Sequence, residues 1–192
     1  NPKMNDFTIS GDYQTVAVIP LGAAYVMVND RKINSIEKAA GKKVAVLEWD
    51  KSQAKMVQQL GAQPVASDIT NFAGKFNNGQ VDIIAAPAVA YKPLELYKGL
   101  GTKGAVYRFP LVQITANLVI RHDRFPPGFG QKCREYIATQ LDRAFDMIKK
   151  SEADIEQKFW LDISEPDKVN YTKLMREARL QLTREGVYDK RT

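Results

Sequence analysis

The first hundred residues alternate short apolar runs with short amphipathic segments. Runs typical of strands cover Tyr13–Val28, with a bend at Pro20 to Gly22, and then Lys43–Leu47, Pro64–Ala66 and Val81–Ala86. Helices are expected between and after these runs, over residues 35–40, 50–60, 68–76 and 93–97. Strands and helices that alternate at this spacing are typical of an α/β fold with a mainly parallel sheet.

The pattern changes after Gly104. Ala105–Ile120 is rich in β-branched and aromatic residues, which predicts two strands or one long bent strand. From Gln131 to Lys150 apolar residues recur every three or four positions, as on one face of a helix. Two further helices are expected near Ser151–Trp160 and Asp167–Glu185. We therefore predict an α/β lobe over residues 15–112, followed over 113–192 by a returning strand and long C-terminal helices.

The composition is that of a globular protein. Hydrophobic residues make up 44% and charged residues 26% of the 192 residues. The longest apolar run, Thr15–Val28, contains Pro20 and Gly22 and is shorter than the ~18 residues of a membrane helix. One cysteine and one histidine exclude a disulfide framework and leave little for a zinc site, so no metal and no cofactor is predicted.

The formal net charge of +6 raises the question of a nucleic-acid partner. The basic residues are dispersed, and Arg31-Lys32 and Lys42-Lys43 are the densest pairs in the first half. A nucleic-acid interface would need a basic stripe with exposed aromatic residues or a recognisable motif, and neither is present. We therefore expect no nucleic-acid partner.

Signals for catalysis are weak. His122 beside Asp123 could serve a hydrolase, but no Gly-x-Ser-x-Gly nucleophile elbow accompanies them. Cys133 lies on the apolar face of a predicted helix, where a core cysteine is the simpler interpretation. We predict a protein that is not an enzyme.

Ligands of open α/β sheets bind where the strands end and helices begin. The candidate ligand-binding residues follow predicted strands or lie on the later one, and they are Glu48, Trp49, Asp50, Asp68, Pro87, Tyr91 and Gln113. Two alternatives stay open. Trp49 could fill a gap in the core instead of walling a cleft, and Glu48 and Asp50 could simply cap a helix.

Four segments in register carry a family resemblance. They are Ile33–Val46, Leu60–Val65, Phe76–Asp82 and Asn117–Pro126, within about residues 30–160. Their order and spacing resemble those of the periplasmic solute-binding proteins of TRAP transporters, which have a type II periplasmic-binding-protein fold. The resemblance implies a protein of the periplasm that captures a small molecule between two lobes and delivers it to a membrane transporter. The lobes would close about the strands near Pro20 and Pro110.

The resemblance also implies an incomplete fold. Such proteins have two lobes, and the resemblance implies that this chain begins near the first crossover between them. We expect it to lack most of the first lobe, on which the C-terminal helices would pack. A second copy could then supply the missing wall, which leaves a homodimer possible.

Two departures from the family pattern concern the ligand. Ala45 stands where members that bind organic acids place an arginine, and Ile83-Ile84-Ala85-Ala86 stands where their pattern after Val-Asp continues to Glu-Asn. A divergent branch of the family has this kind of sequence, and some of its members are described as RND-type efflux proteins of aminoglycoside resistance. The alternative function is therefore an accessory interaction protein of an envelope efflux or aminoglycoside-resistance system. Glu48, Asp50 and Asp68 would be the carboxylates for such a cationic solute.

Overall fold

The computed structural model describes residues 7–189, which contain seven strands and seven helices. The strands are β1 (Ile9–Ser10), β2 (Tyr13–Val28), β3 (Lys43–Leu47), β4 (Gln63–Ser67), β5 (Ile83–Pro87), β6 (Ala105–Arg121) and β7 (Trp160–Leu161). The helices are α1 (Ile36–Ala39), α2 (Lys51–Gln59), α3 (Phe72–Asn77), α4 (Leu96–Leu100), α5 (Phe129–Thr139), α6 (Leu141–Ala153) and α7 (Glu165–Arg184).

All seven strands join one sheet in the order β4-β3-β5-β2-β6-β7, with β1 beside β2. β3 runs parallel to both β4 and β5, and β7 runs parallel to β6. The long strands β2 and β6 pair with each other antiparallel, and β2 also pairs antiparallel with β5. The predicted α/β lobe with parallel strands and C-terminal helices is therefore confirmed, with the long antiparallel pair at its centre.

Helices cover both faces of the sheet. On one face α3, α4 and residues 155–159 enclose a core that includes Phe76, Ile84 and Leu96. On the other face α1, α2 and α7 enclose a second core that includes Val46, Tyr107 and Tyr171. A sheet buried on both faces explains why β3 and β5 are continuously apolar rather than alternating.

The outer part of β2 and β6 forms an arm beyond these cores. Its β2 side is covered by α5 and α6, which both contact β2. The ladder shifts register between Pro20 and Gly22, where Gly22 has φ +84° and lies directly under Ile148 of α6. The predicted bend at Pro20 to Gly22 is thus a bulge within one continuous strand.

The structure corrects three helix predictions. The helix expected over 93–97 begins only at Leu96, because Glu95 adopts a left-handed backbone (φ +53°) that no helix continues through. The helix expected from Asp68 begins at Phe72, after a turn closed by the Asp68 carboxylate. No separate helix covers Ser151–Trp160: α6 ends at Ala153, and the chain then turns through Gln157–Phe159 into β7.

The last of these corrections has a packing cause. Trp160 and Leu161 lie in extended conformation beside Val106 and Tyr107 of β6, so a helix cannot continue into them, and Ile155 and Phe159 join the core under α3 and α4. α7, in turn, packs on α1 and α2 of the α/β lobe, so this C-terminal helix is part of that lobe's core. The division at residues 112 and 113 stays a prediction.

Candidate functional site

Neighbouring strands end along one edge of the sheet and form a continuous row. Leu47 at the end of β3 pairs with Ser67 at the end of β4, and the Glu48 N–H donates to the Ser67 carbonyl at 3.0 Å. Pro87 at the end of β5 pairs with Ala24 of β2, and the adjacent Ala23 pairs with Gln113 of β6. We call this edge the strand-end row. It brings the Glu48–Asp50 loop, Asp68, Pro87 and Gln113 to one side of the molecule.

Trp49 stands at the tip of the β3–α2 loop. The Asp50 N–H donates to the Leu47 carbonyl at 2.9 Å, which closes a tight turn around Glu48 and Trp49. The Trp49 side chain is 68% exposed, so it fills no gap in the core. An indole held in solvent by a closed turn is available as an apolar wall for a solute.

The two aspartates of the strand-end row are engaged by their own loops. Asp50 caps α2, and its carboxylate accepts from the Gln53 N–H at 2.9 Å. The Asp68 carboxylate accepts from the backbone N–H groups of Thr70 and Asn71 at 2.8 and 3.1 Å. The Thr70 hydroxyl and these N–H groups hold the pKa of Asp68 below its usual range. Asp50 thus uses Oδ1 for its cap, whereas both oxygens of Asp68 are engaged by its loop, since the Asn71 side-chain amide donates to Oδ2.

The strands that end in the row carry small, buried residues close to their ends. Ala45 and Ala86 are 0% and 2% exposed, and Ser67 is 1% exposed with its hydroxyl donating to the Val65 carbonyl at 3.2 Å. Ala45 belongs to the core under α3 and α4. The position where the resembling family places an arginine thus carries a methyl group inside the core and no cation.

The remaining predicted residues differ in their surroundings. The Gln113 side chain is exposed on β6, and Pro87 is half-buried. Tyr91 is 2% exposed and packs edge-on against Tyr97, with a ring distance of 6.1 Å. Burial, together with the charge of Glu156, raises the pKa of Tyr91 to about 12. Tyr91 is therefore mainly a core residue that touches the surface at a depression shared with Lys92 and Asp154.

A pocket that the sequence did not predict lies beside the row, next to Tyr25 of β2, which pairs with Ala86 of β5. The Tyr25 hydroxyl donates to Glu152 of α6 at 2.7 Å, and its ring meets Trp160 edge-on, with ring centroids 5.1 Å apart. The Arg108 guanidinium lies over the Trp160 ring, 5.3 Å from its centroid. These residues line a depression of about 470 Å³.

Burial and the Glu152 carboxylate raise the pKa of Tyr25 to about 12, so its hydroxyl remains a donor at neutral pH. Tyr25 and Glu152 are 127 residues apart, so no local sequence pattern predicts their contact.

The hydrolase candidates show no catalytic arrangement. His122 is exposed, and its Nε2 lies 3.0 Å from the Gly11 carbonyl, while Asp123 pairs with Arg121 at 3.2 Å. Cys133 is half-buried on α5. Within residues 7–189 no group of three histidine, cysteine or acidic side chains could hold a metal ion, and no helix is long and apolar enough to cross a membrane.

Solved structures that resemble this chain include TRAP periplasmic solute-binding proteins. One from Desulfovibrio salexigens with bound orotic acid aligns with a TM-score of 0.80 at 14% identity, covering 97% of this chain and 62% of that one. The ectoine-binding protein of the TeaABC TRAP transporter of Halomonas elongata aligns with a TM-score of 0.77 at 12% identity, covering 96% and 62%. The fold of this chain is therefore that of a TRAP-type solute-binding protein.

The amino-acid sequence assigns the chain to a particular family. The profile of the family described as "Solute-binding protein AdeT 1/2" matches residues 1–192, and the chain belongs to that family. It is 54% identical over 181 residues to the probable solute-binding protein AdeT1 of Acinetobacter baumannii, covering 94% of this chain and 60% of AdeT1. The probable solute-binding protein AdeT2 of the same organism is 29% identical over 189 residues, covering 98% and 79%. The chain thus spans about 60% of the length of AdeT1.

Proposed function

We propose that this chain is the solute-contacting part of a periplasmic binding protein, which captures a small molecule on the strand-end row and delivers it to a membrane transporter without chemistry. The observation that carries the proposal is the row itself. Ends of β4, β3 and β5 meet there beside an indole that is 68% exposed. Strand ends of open α/β sheets are the usual place for ligands, and the family membership is consistent with this role.

The charges of the row favour a solute that is neutral or positively charged. Glu48 is exposed, and the carboxylates of Asp50 and Asp68 add two further negative charges along the same edge. An organic acid would need a cation in place of Ala45, because bidentate arginine contacts are the strong way to hold a carboxylate. With a buried alanine there, we expect amines and polyhydroxylated cations to bind better than organic acids.

The pocket at Tyr25 and Trp160 is the competing location for a solute. Its indole already has partners, since the Trp160 ring meets Tyr25 edge-on and lies under Arg108. Trp49 makes no such ring contact with any of residues 7–189, and its side chain is 68% exposed. We therefore place the solute at the row and treat the pocket as the alternative that an experiment should separate from it.

The two tryptophans of the chain allow that separation. Trp160→Phe leaves Trp49 as the only indole, and Trp49→Phe leaves only Trp160. Each protein is titrated with aminoglycosides, amino acids and organic acids while its fluorescence and melting temperature are recorded. We expect a cationic solute to change the emission of the Trp49-only protein and to raise its melting temperature, since a ligand stabilises the state that binds it.

The Trp160-only protein is the matched control and should respond weakly or not at all. A response confined to that protein, with unchanged affinity after Trp49→Phe, would move the site to the pocket beside Tyr25. If no solute of any class changes either signal, solute capture by this chain is wrong. Tighter binding of organic acids than of amines would leave the row as a site and overturn the charge argument.

A further inference from the structure

An apolar cavity of about 90 Å³ lies inside the second core, between the sheet and the helices α2 and α7. Val26, Val44 and Ile83, from three neighbouring strands, form its floor, and α2 and α7 cover it with Val57 and Tyr171. We call this space the α2–α7 cavity. Its lining residues all lie between positions 26 and 175, so it belongs to the packed interior of the lobe.

The two helices above the cavity are joined by polar contacts at one end. The Gln59 side-chain amide of α2 donates to Gln181 of α7, and Lys55 of α2 pairs with Glu185, directly after α7. The cavity lies nearer the beginning of α7, where Tyr171 lines it. Protein interiors are packed as densely as organic crystals, and voids much larger than a water molecule are few. A space of this size between two joined helices is therefore an unusual feature of the core.

The cavity offers few partners to water. Three of the described side chains that line it contain nitrogen or oxygen, namely Gln53, Tyr107 and Tyr171. Gln53 Oε1 accepts from the Leu47 N–H at 3.0 Å, and the Tyr107 hydroxyl donates to the Ile33 carbonyl at 2.7 Å. Burial raises the pKa of Tyr171 to about 12, so its hydroxyl is uncharged at neutral pH. Because an internal water needs two to four polar partners, we expect the cavity to be dry.

Two methionines border the cavity where it approaches the surface. Met56 of α2 and Met175 of α7 line it and are half-buried, as is Leu60 of the loop after α2. Methionine is unbranched and has three rotatable bonds, so it adapts to irregular spaces. A guest can therefore enter between the helices by rotation of these side chains, which also adjust the space to its shape.

We propose that the α2–α7 cavity is a second binding site of this chain, for a small uncharged apolar molecule or group no larger than about one six-membered ring. Engineered apolar cavities of about 150 Å³ stay dry and bind benzene or xenon, and the flexible methionines allow this smaller space to widen. Charged and strongly polar molecules are excluded, because the lining side chains cannot replace the water that such groups lose. The site lies in the core of the lobe and does not depend on solute capture at the strand-end row.

Benzene is the probe, with benzoate as a charged ring of similar size. At roughly ten times its dissociation constant, benzene should raise the melting temperature by about 3–6 °C, whereas benzoate should not raise it. Val57→Ala enlarges the cavity, so it should lower the melting temperature of the free protein but tighten benzene binding about threefold or more. Ala85→Val places two methyl groups at the cavity wall and should weaken benzene binding about fivefold or more.

Ala86→Val is the matched control, because Ala86 is the next residue of β5 and belongs to the core on the opposite face. It should retain the effect of benzene. Magnetic resonance of the unaltered protein locates the guest without any substitution, through contacts between benzene and the methyl groups of Met56 and Met175. The proposal is wrong if benzene raises the melting temperature of neither the unaltered protein nor Val57→Ala, if Ala85→Val and Ala86→Val respond equally, or if benzene contacts other methyl groups instead.

Discussion

At the scale of single residues, several side chains of the candidate site do two things at once. Asp50 caps α2 and also adds a negative charge beside Trp49. Its cap was predictable because an aspartate followed by an amphipathic run is a local signal. Its second role depends on where β4 and β5 end, which is a property of the assembled sheet. The two roles can be separated because asparagine caps a helix about as well as aspartate does.

Replacing Asp50 separates them experimentally. Asp50→Ala removes the acceptor for the Gln53 N–H and should lower the free energy of unfolding by about 1 kcal/mol. Asp50→Asn should retain most of that stability while it removes the charge. Urea unfolding measures the first effect, and titration with a cationic solute measures the second. Equal stability of all three proteins would contradict the capping role, and undiminished solute affinity in Asp50→Asn would exclude an electrostatic one.

At the scale of elements, α6 approaches the sheet most closely over a glycine of β2. Gly22 sits at the bulge of β2 with φ +84°, and a Cβ added there would lie 2.8 Å from Cγ2 of Ile148. The bend at this position was predictable from Pro20 and Gly22. The identity of the residue above it was not, because nothing local connects β2 with a helix more than a hundred positions later. The glycine is needed for both the backbone and the helix contact.

Gly22→Ala should therefore lower the free energy of unfolding by more than the strain of a left-handed backbone alone. We expect a loss of about 2–4 kcal/mol, of which about 1–2 kcal/mol comes from the backbone and the rest from the clash with Ile148. Gly79→Ala is the matched control, since Gly79 also has positive φ but nothing lies within 4 Å of an added Cβ. In an Ile148→Ala background the cost of Gly22→Ala should fall to that of the control. An unchanged cost there would show that α6 does not rest on this glycine.

At the scale of the whole molecule, the sequence predicted elements whose signals are local and missed those that depend on distant partners. Parallel strands, the cap at Asp50 and the helix near Asp167 all follow from patterns within a few residues. The stretch after α6 was predicted as a helix, but the pairing of Trp160 and Leu161 with the distant strand β6 makes its end extended. The Tyr25–Glu152 contact was missed for the same reason, since it joins positions 127 residues apart.

The C-terminal helix α7 packs against residues that are far away in the sequence. Tyr171 is 5% exposed and contacts Tyr107 and Phe109 of β6, with ring distances of 6.3 and 6.2 Å. Tyr107 in turn donates its hydroxyl to the Ile33 carbonyl at 2.7 Å. Removing the ring of Tyr171 would open the core between α7 and the sheet. If α7 and the sheet unfold as one cooperative unit, the cavity left by that ring lowers the stability of the cores on both faces of the sheet.

Tyr171→Ala tests this cooperativity. We expect a loss of about 3 kcal/mol or more, because truncating a buried aromatic side chain leaves a cavity, while Val169→Ala on the exposed side of α7 should cost about 0.5 kcal/mol or less. Urea unfolding is followed both by circular dichroism and by the fluorescence of Trp160, which packs against the opposite core. The two midpoints should fall together, since a single cooperative unit has one transition. If helical signal is lost first while Trp160 keeps its wild-type midpoint, α7 is an appendage that unfolds separately from the α/β lobe.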